Sequence, residues 1–204
     1  MIPAAAVSGR PSPIDDRAWF DRSAAEVAPE LLGAVLIHDT PAGRIAGRIV
    51  EVEAYLGPED LAAHSSAGPT PRNAVMFGPP GHLYVYFVYG MHHCANVVCG
   101  PAFKPEAVLL RAAELTEGEE LARRRRGEVA SARLASGPGN LASAFDIGRA
   151  LNGTDLLAGP IRIERGTPPE AIDRTARVGV NYAGEWTDRP LRYVIRDDPH
   201  RSRR

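Results

Sequence analysis

Lysine is almost absent from this 204-residue chain: Lys104 is the only one, and every other cation of the Lys+Arg class is arginine. A GC-rich coding sequence explains that bias most simply, but chemistry that needs a reactive amine is left with one candidate. Cysteine is equally scarce. Cys94 and Cys99 lie five apart in one apolar stretch, poorly placed to bridge each other, so reduced thiols of a cytoplasmic protein are expected. No run approaches the ~20 consecutive apolar residues of a membrane helix, and no basic stretch leads into a long apolar segment at the N-terminus, so no membrane role or secretion is expected. Net charge is lacking too. At −1 it does not advertise a nucleic-acid binder. No GxxxxGK[ST] loop, GxGxxG fingerprint or GxSxG elbow appears, so nucleotide-driven and serine-hydrolase chemistries have no support.

What is present is an ordinary globular composition, 44% hydrophobic and 24% charged, in a chain long enough to bury one full core. Residues 1–16 read as a flexible leader, 17–197 as a single domain and 198–204 as a charged tail. Arg17 to Leu32 has the spacing of an amphipathic helix with Ser23 a possible cap. Ala34 to His38 and Arg44 to Tyr55 read as a hairpin, and His82 to Tyr89 with Cys94 to Cys99 as a second one turning at Gly90. Ala107 to Arg111, Ile161 to Glu164 and Leu191 to Arg196 are further short strands. Helices are expected over Glu119 to Arg126 and Gly139 to Phe145. The stretch from Leu56 to Gly81, with five prolines and four glycines, offers little to a core and reads as a functional loop. The class implied is α+β on an antiparallel sheet.

Alternation in Glu51-Val52-Glu53-Ala54-Tyr55 puts two carboxylates and a tyrosine on one strand face, with Val50, Val52 and Ala54 on the other. Two readings stand at this point: the wet face of a half-exposed strand, or a reaction site at a strand end. Four aromatics fall within Tyr84 to Tyr89. Tyr84 suits a packed core position, whereas Tyr89 at a hairpin tip suits a protruding wedge of the kind that enters a base stack. His82, His92, His93, Cys94 and Cys99 lack the spacing of a common zinc site, so core or loop roles are the better account. Arg123 to Arg126 could track phosphates, but on a short polar helix beside Glu119 and Glu120 it reads more plainly as a solvated face.

Taken together, Gly47 to Ser65 (GRIVEVEAYLGPEDLAAHS), Thr70 to Phe77 (TPRNAVMF), Leu83 to Met91 (LYVYFVYGM), Val108 to Ala112, Ser136-Gly137-Pro138 and Arg177 to Trp186 resemble the alkyladenine (3-methyladenine) DNA glycosylase family. The resemblance runs in order over nearly the whole chain after the leader. It implies a single α+β domain with a curved antiparallel sheet, a protruding hairpin and surrounding helices. It also implies excision of damaged purines from double-stranded DNA, with no metal or cofactor, by a monomer.

Residue by residue, Glu53 matches the general base that activates a water against C1′, and Arg111 the arginine that helps hold that water together with the backbone carbonyl of Val180. Tyr55, His64 and Tyr86 match the residues that enclose the flipped base. Asn96 matches the asparagine that obstructs the 2-amino group of guanine, and Tyr89 with Met91 the intercalating tip. Lys104 lies outside every matched motif, so a monofunctional enzyme that leaves an abasic site is expected. Asn140 stands where relatives often carry lysine, and His92 and His93 where they often carry aromatics. Arg72, Arg111 and the Arg123 cluster are the candidate phosphate contacts. The rivals from other classes are a damage-recognition module without chemistry and, more remotely, a zinc-dependent hydrolase.

Overall fold

The structure, a computed structural model, describes residues 12–88 and 90–202. Most of the expected leader, the last two residues of the expected tail and Tyr89 therefore lie outside the described residues. Among those described, nine strands form one sheet and three α-helices pack on it. The strands are β1 (Ser12–Pro13), β2 (Val35–Thr40), β3 (Gly43–Tyr55), β4 (Leu83–Val88), β5 (His92–Cys99), β6 (Glu106–Glu117), β7 (Ile161–Arg165), β8 (Ile172–Thr175) and β9 (Arg192–Ile195). The helices are α1 (Ala24–Leu31), α2 (Glu119–Arg126) and α3 (Pro138–Ala144). Every pairing is antiparallel, in the order β1-β7-β2-β3-β6-β5-β4, and β8 joins through β9, which pairs with β3. The α+β class with a curved antiparallel sheet holds.

β3 is the organising strand. Its first half pairs with β2, its second half pairs with β9 on that same edge, and β6 runs along the other edge. Val50, Val52 and Ala54 join Leu31, Leu110 and Phe145 in the main core. That fixes the register, because a slip of one residue would drive Glu51 and Glu53 into apolar packing. The β3–β6 ladder is bulged on both sides of Glu51. Ile49 faces Ala113, Glu51 faces Ala112 and Val52 faces Leu110, so Val50 and Arg111 are left without opposite partners. Such bulges bend a sheet and re-aim a side chain.

Four expectations change. The helix expected over Arg17 to Leu32 splits into a 3-10 turn at Arg17–Trp19, capped by Asp16, and α1. The break comes where Ser23 adopts an extended backbone and forms a capping box with Glu26. The strand expected over Ala107 to Arg111 runs on to Glu117, because its Ala-rich second half pairs with the first half of β3. The segment from Leu56 to Gly81 does contribute to the interior: Asp60, Ala62, Ala63, Ser65, Asn73 and Met76 are buried. Finally, both ends of the chain, as far as they are described, are folded down. Ser12 and Pro13 pair with β7 and Ile14 is buried, while Asp198 and Ser202 are buried at the other end. No helix among the described residues is long and apolar enough to cross a membrane.

Candidate active site

The wet-face reading of β3 fails. From Ile49 to Ala54 both faces of the strand are buried, and Glu51 and Glu53 have no exposed surface. Burying a carboxylate costs several kcal/mol unless donors replace water, and both carboxylates have them. Glu51 Oε1 accepts from Arg111 Nε at 2.7 Å, Arg192 Nε at 2.8 Å and the Ser202 hydroxyl at 2.8 Å, while its Oε2 accepts from the Ser202 amide at 2.6 Å. Glu53 Oε1 accepts from the Val178 amide at 2.8 Å and lies 3.3 Å from Arg111 Nη1; its Oε2 accepts from the Tyr55 hydroxyl at 3.0 Å. The bulge at Arg111 lets one guanidinium bridge the two carboxylates.

The two acids are pushed in opposite directions. Burial raises the proton affinity of both, but at Glu51 the Arg111 and Arg192 charges with their hydrogen bonds outweigh it and hold the carboxyl below its usual range. At Glu53 burial wins over Arg111, the Val178 amide and the Tyr55 hydroxyl, and Glu51 adds to it, so the pKa is raised. Adjacent titratable groups driven apart in this way mark which one can exchange a proton. Glu53 is the carboxylate whose proton affinity is raised, and Glu51 the one held charged.

Tyr55, Arg111 and Val178, the three partners of Glu53, all line a cavity of about 400 Å³, a size typical of small-molecule sites. His64, Tyr84, Tyr86, Asn96 and Val180 line it as well. The β4 alternation aims both Tyr86, expected there, and Tyr84, which the sequence suited to a packed core position, into it. Tyr84 is buried, its hydroxyl lies 3.0 Å from His64 Nδ1, and burial pushes its pKa up to about 12. Tyr86 meets His64 edge-to-face at 4.4 Å, with the Arg72 guanidinium 5.4 Å from its ring. His64, open at the cavity mouth, still has its pKa lowered by burial and then by Arg72. Burial raises Tyr55 well above the ordinary phenol and Glu53 adds to it, so its hydroxyl stays a donor. Asn96, opposite Tyr84 on β5, donates from Nδ2 to the Tyr84 carbonyl at 3.1 Å.

Several features differ from the expected set. The Val180 carbonyl accepts from the Ala183 amide at 2.9 Å and the Thr187 hydroxyl at 3.1 Å, so it turns back into its own loop. The Val178 amide is the backbone group that reaches Glu53. Met91 is 72% exposed next to the β4–β5 turn, and Phe87 is exposed on the same hairpin. Of the arginine run, Arg123 is tied to Glu119, Arg125 to Asp146 and the Ala144 carbonyl, and Arg126 to the Leu134 carbonyl. Arg111 is committed to the carboxylates. Asn140, in the lysine position, donates to the Ser136 carbonyl. His, Cys, Asp and Glu side chains do not gather in metal-binding groups among the described residues, and Cys94 and Cys99 are free.

Sequence reasoning passed over Asp60 and Arg177, which form a buried two-pronged pair, with Arg177 also donating to the Ala54 carbonyl at 3.0 Å. It also passed over Ser202 and Arg192. The signal for Asp60 and Arg177 was inside the matched motifs; for Ser202 there was none.

The model of the methylpurine-DNA glycosylase family matches residues 18–199. The chain is 50% identical over 189 residues to a protein of Streptomyces avermitilis, covering 90% of this chain and 88% of that one. A protein of Methanocella arvoryzae is 47% identical over 194 residues, with 94% and 97% covered. One of Anaeromyxobacter dehalogenans is 48% identical over 189 residues, with 92% and 84% covered. All three are provisionally named 3-methyladenine DNA glycosylase.

Proposed function

The chain belongs to the methylpurine-DNA glycosylase family and is a DNA repair glycosylase, a hydrolase of N-glycosyl bonds; on that premise we propose that it excises damaged purines from duplex DNA with Glu53 as the general base. The observation that carries this reading is the split between two buried carboxylates on one strand. Glu51 is locked as a charge, while Glu53 has a raised proton affinity behind an aromatic-lined cavity.

A base inside a duplex has to leave the stack to be cut. Tyr89, whose sequence position falls between β4 and β5, and Met91 fill the gap, and the damaged base enters the cavity. There Tyr55 and Tyr86 stack on it, favouring cationic alkylated purines through cation–π attraction. With Tyr84 donating to Nδ1, His64 carries its proton on Nε2 and offers it to the base edge. Asn96, held by the Tyr84 carbonyl, rejects the 2-amino group of guanine by a polar clash.

Water then attacks C1′ as the N-glycosidic bond breaks. The bond electrons leave with the base, and the water proton passes to the Glu53 carboxylate. The transition state resembles an oxocarbenium ion, which the carboxylate also stabilises. Arg111 orients the water from the side of Glu53. Strand nicking would need an amine at C1′; Lys104, the sole lysine, does not line the cavity and pairs with Glu106 at 3.1 Å. The product is an abasic site, released by a monomer that needs no cofactor.

The test is single-turnover excision from duplexes carrying one hypoxanthine, one ethenoadenine or one methylated purine, with and without alkali. Release with strand cleavage only after alkali is expected. Tight damage-specific binding without release from any duplex would leave a recognition module instead, and cleavage without alkali would overturn the monofunctional assignment.

A further inference from the structure

The segment after β9 folds back onto Glu51 and Arg111. Asp198 accepts from Arg48 Nη2 at 2.7 Å, and the Arg201 carbonyl accepts from the Ser136 hydroxyl at 3.0 Å and from Arg133 Nη1 at 3.1 Å. These ties set Ser202, 151 residues from Glu51 in the chain, with its amide and hydroxyl both on the Glu51 carboxylate. Arg111 Nη2 donates to the same hydroxyl at 3.2 Å. Arg111 thus has three of its nitrogens fixed: Nε by Glu51, Nη2 by Ser202 and Nη1 toward Glu53.

Glu51 and Ser202 touch neither the cavity that takes the base nor Glu53 by any hydrogen bond. From this geometry we infer that Glu51 and Ser202 are positioning residues, which together hold the Arg111 guanidinium at the angle at which it faces Glu53 and the attacking water. The segment 198–202 is then the strap that completes the catalytic apparatus. This rests on the assignment of Glu53 as base.

Glu53 is faced by Glu51 and Tyr55 on β3, Arg111 on β6, Tyr86 on β4, Cys94 on β5 and, from the loop before β9, Arg177 and the Val178 amide. Arg192 on β9 acts through Glu51. Removing the Glu51 charge leaves Arg111 and Arg192 without their counterion, which favours ionised Glu53.

The experiment compares Glu51→Gln, Ser202→Ala and Glu53→Gln with the parent protein. It measures single-turnover excision against pH and, separately, affinity for a duplex carrying hypoxanthine. Glu51→Gln is expected to lose on the order of 10²-fold in the chemical step, as misplaced catalytic groups do, with its acid limb moved to lower pH. Ser202→Ala is expected to lose roughly 10-fold, the scale of one hydrogen bond to a charged group. Damaged-duplex affinity stays within about 2-fold of the parent in both, because neither residue touches the base.

Parent-like rates and an unmoved acid limb in both variants, with Glu53→Gln inactive, would overturn this inference alone. Full excision by Glu53→Gln would overturn the reading beneath it. If Glu51→Gln does not fold, Ser202→Ala decides, since it removes one hydroxyl and no charge.

Discussion

The Arg177 guanidinium and the Asp60 carboxylate meet side by side, two nitrogens on two oxygens, with no exposed surface on either side chain. Asp60 also accepts the Leu56 and Ala62 amides, so it shapes the loop after β3 while gripping Arg177. The residue after Arg177 supplies the amide on Glu53. The pair therefore joins the loop after β3 to the segment whose amide holds Glu53. Arg177 Nε has no partner among the described residues, a cost that a merely stabilising pair would be a poor way to repay.

Asp60→Ala should lower the unfolding free energy by about 3–5 kcal/mol, because it strands a buried guanidinium, as measured by urea denaturation. The apolar pair Asp60→Leu with Arg177→Met should recover most of that stability yet not excision, because the Val178 amide loses its anchor. Recovery of both would reduce the pair to packing.

Excision should fall on acidification at a pH above the ordinary carboxylate range. A general base works only when ionised, and burial raises the pKa of Glu53, so with Glu53 in the proposed role activity is full above that pKa and is lost as pH falls through it. Glu53→Gln should bind damaged duplex like the parent while losing at least ~10³-fold in excision, within the scale of general base catalysis. Single-turnover rates across pH test both statements.

The sequence made the local half of this site legible. Period-2 alternation aligned Glu51, Glu53 and Tyr55, and Ser23 announced the start of α1. Each of those signals spans a few residues. Asp60 and Arg177 are 117 apart and Glu51 and Ser202 are 151 apart, so no window along the chain contains either relationship. The second half of β6 escaped for a related reason: Ala112-Ala113-Glu114 has no strand propensity of its own and is held extended by pairing with β3. Alternation also could not tell wet from dry. It placed both carboxylates on one face, but Arg111, Arg192, the Val178 amide and Ser202 are what cover that face.

His64 should titrate below the usual histidine range, since burial and the nearby Arg72 charge both disfavour the imidazolium. Arg72→Ala should move its midpoint upward without restoring an ordinary value, because burial, the larger cause, remains. Side-chain NMR across pH reads this directly. A midpoint unmoved by Arg72→Ala would mean that Arg72 lies away from the mouth of the cavity in solution.

Tyr55 is asked to do two things, and Tyr55→Phe separates them. The ring, proposed to stack on the base, survives the substitution, while the hydroxyl that donates to Glu53 Oε2 at 3.0 Å is lost. That donor favours the ionised carboxylate, so its removal raises Glu53 further and moves the acid limb of excision to higher pH. Affinity for a damaged duplex should stay within about 2-fold of the parent, and excision on the acid limb should drop roughly 10-fold, the scale of one hydrogen bond to a charged group. On the plateau above the limb the loss should shrink, because Glu53 is ionised there with or without the hydroxyl. An equal loss at every pH would instead assign the hydroxyl to orienting the water, and a loss of binding would assign it to the base.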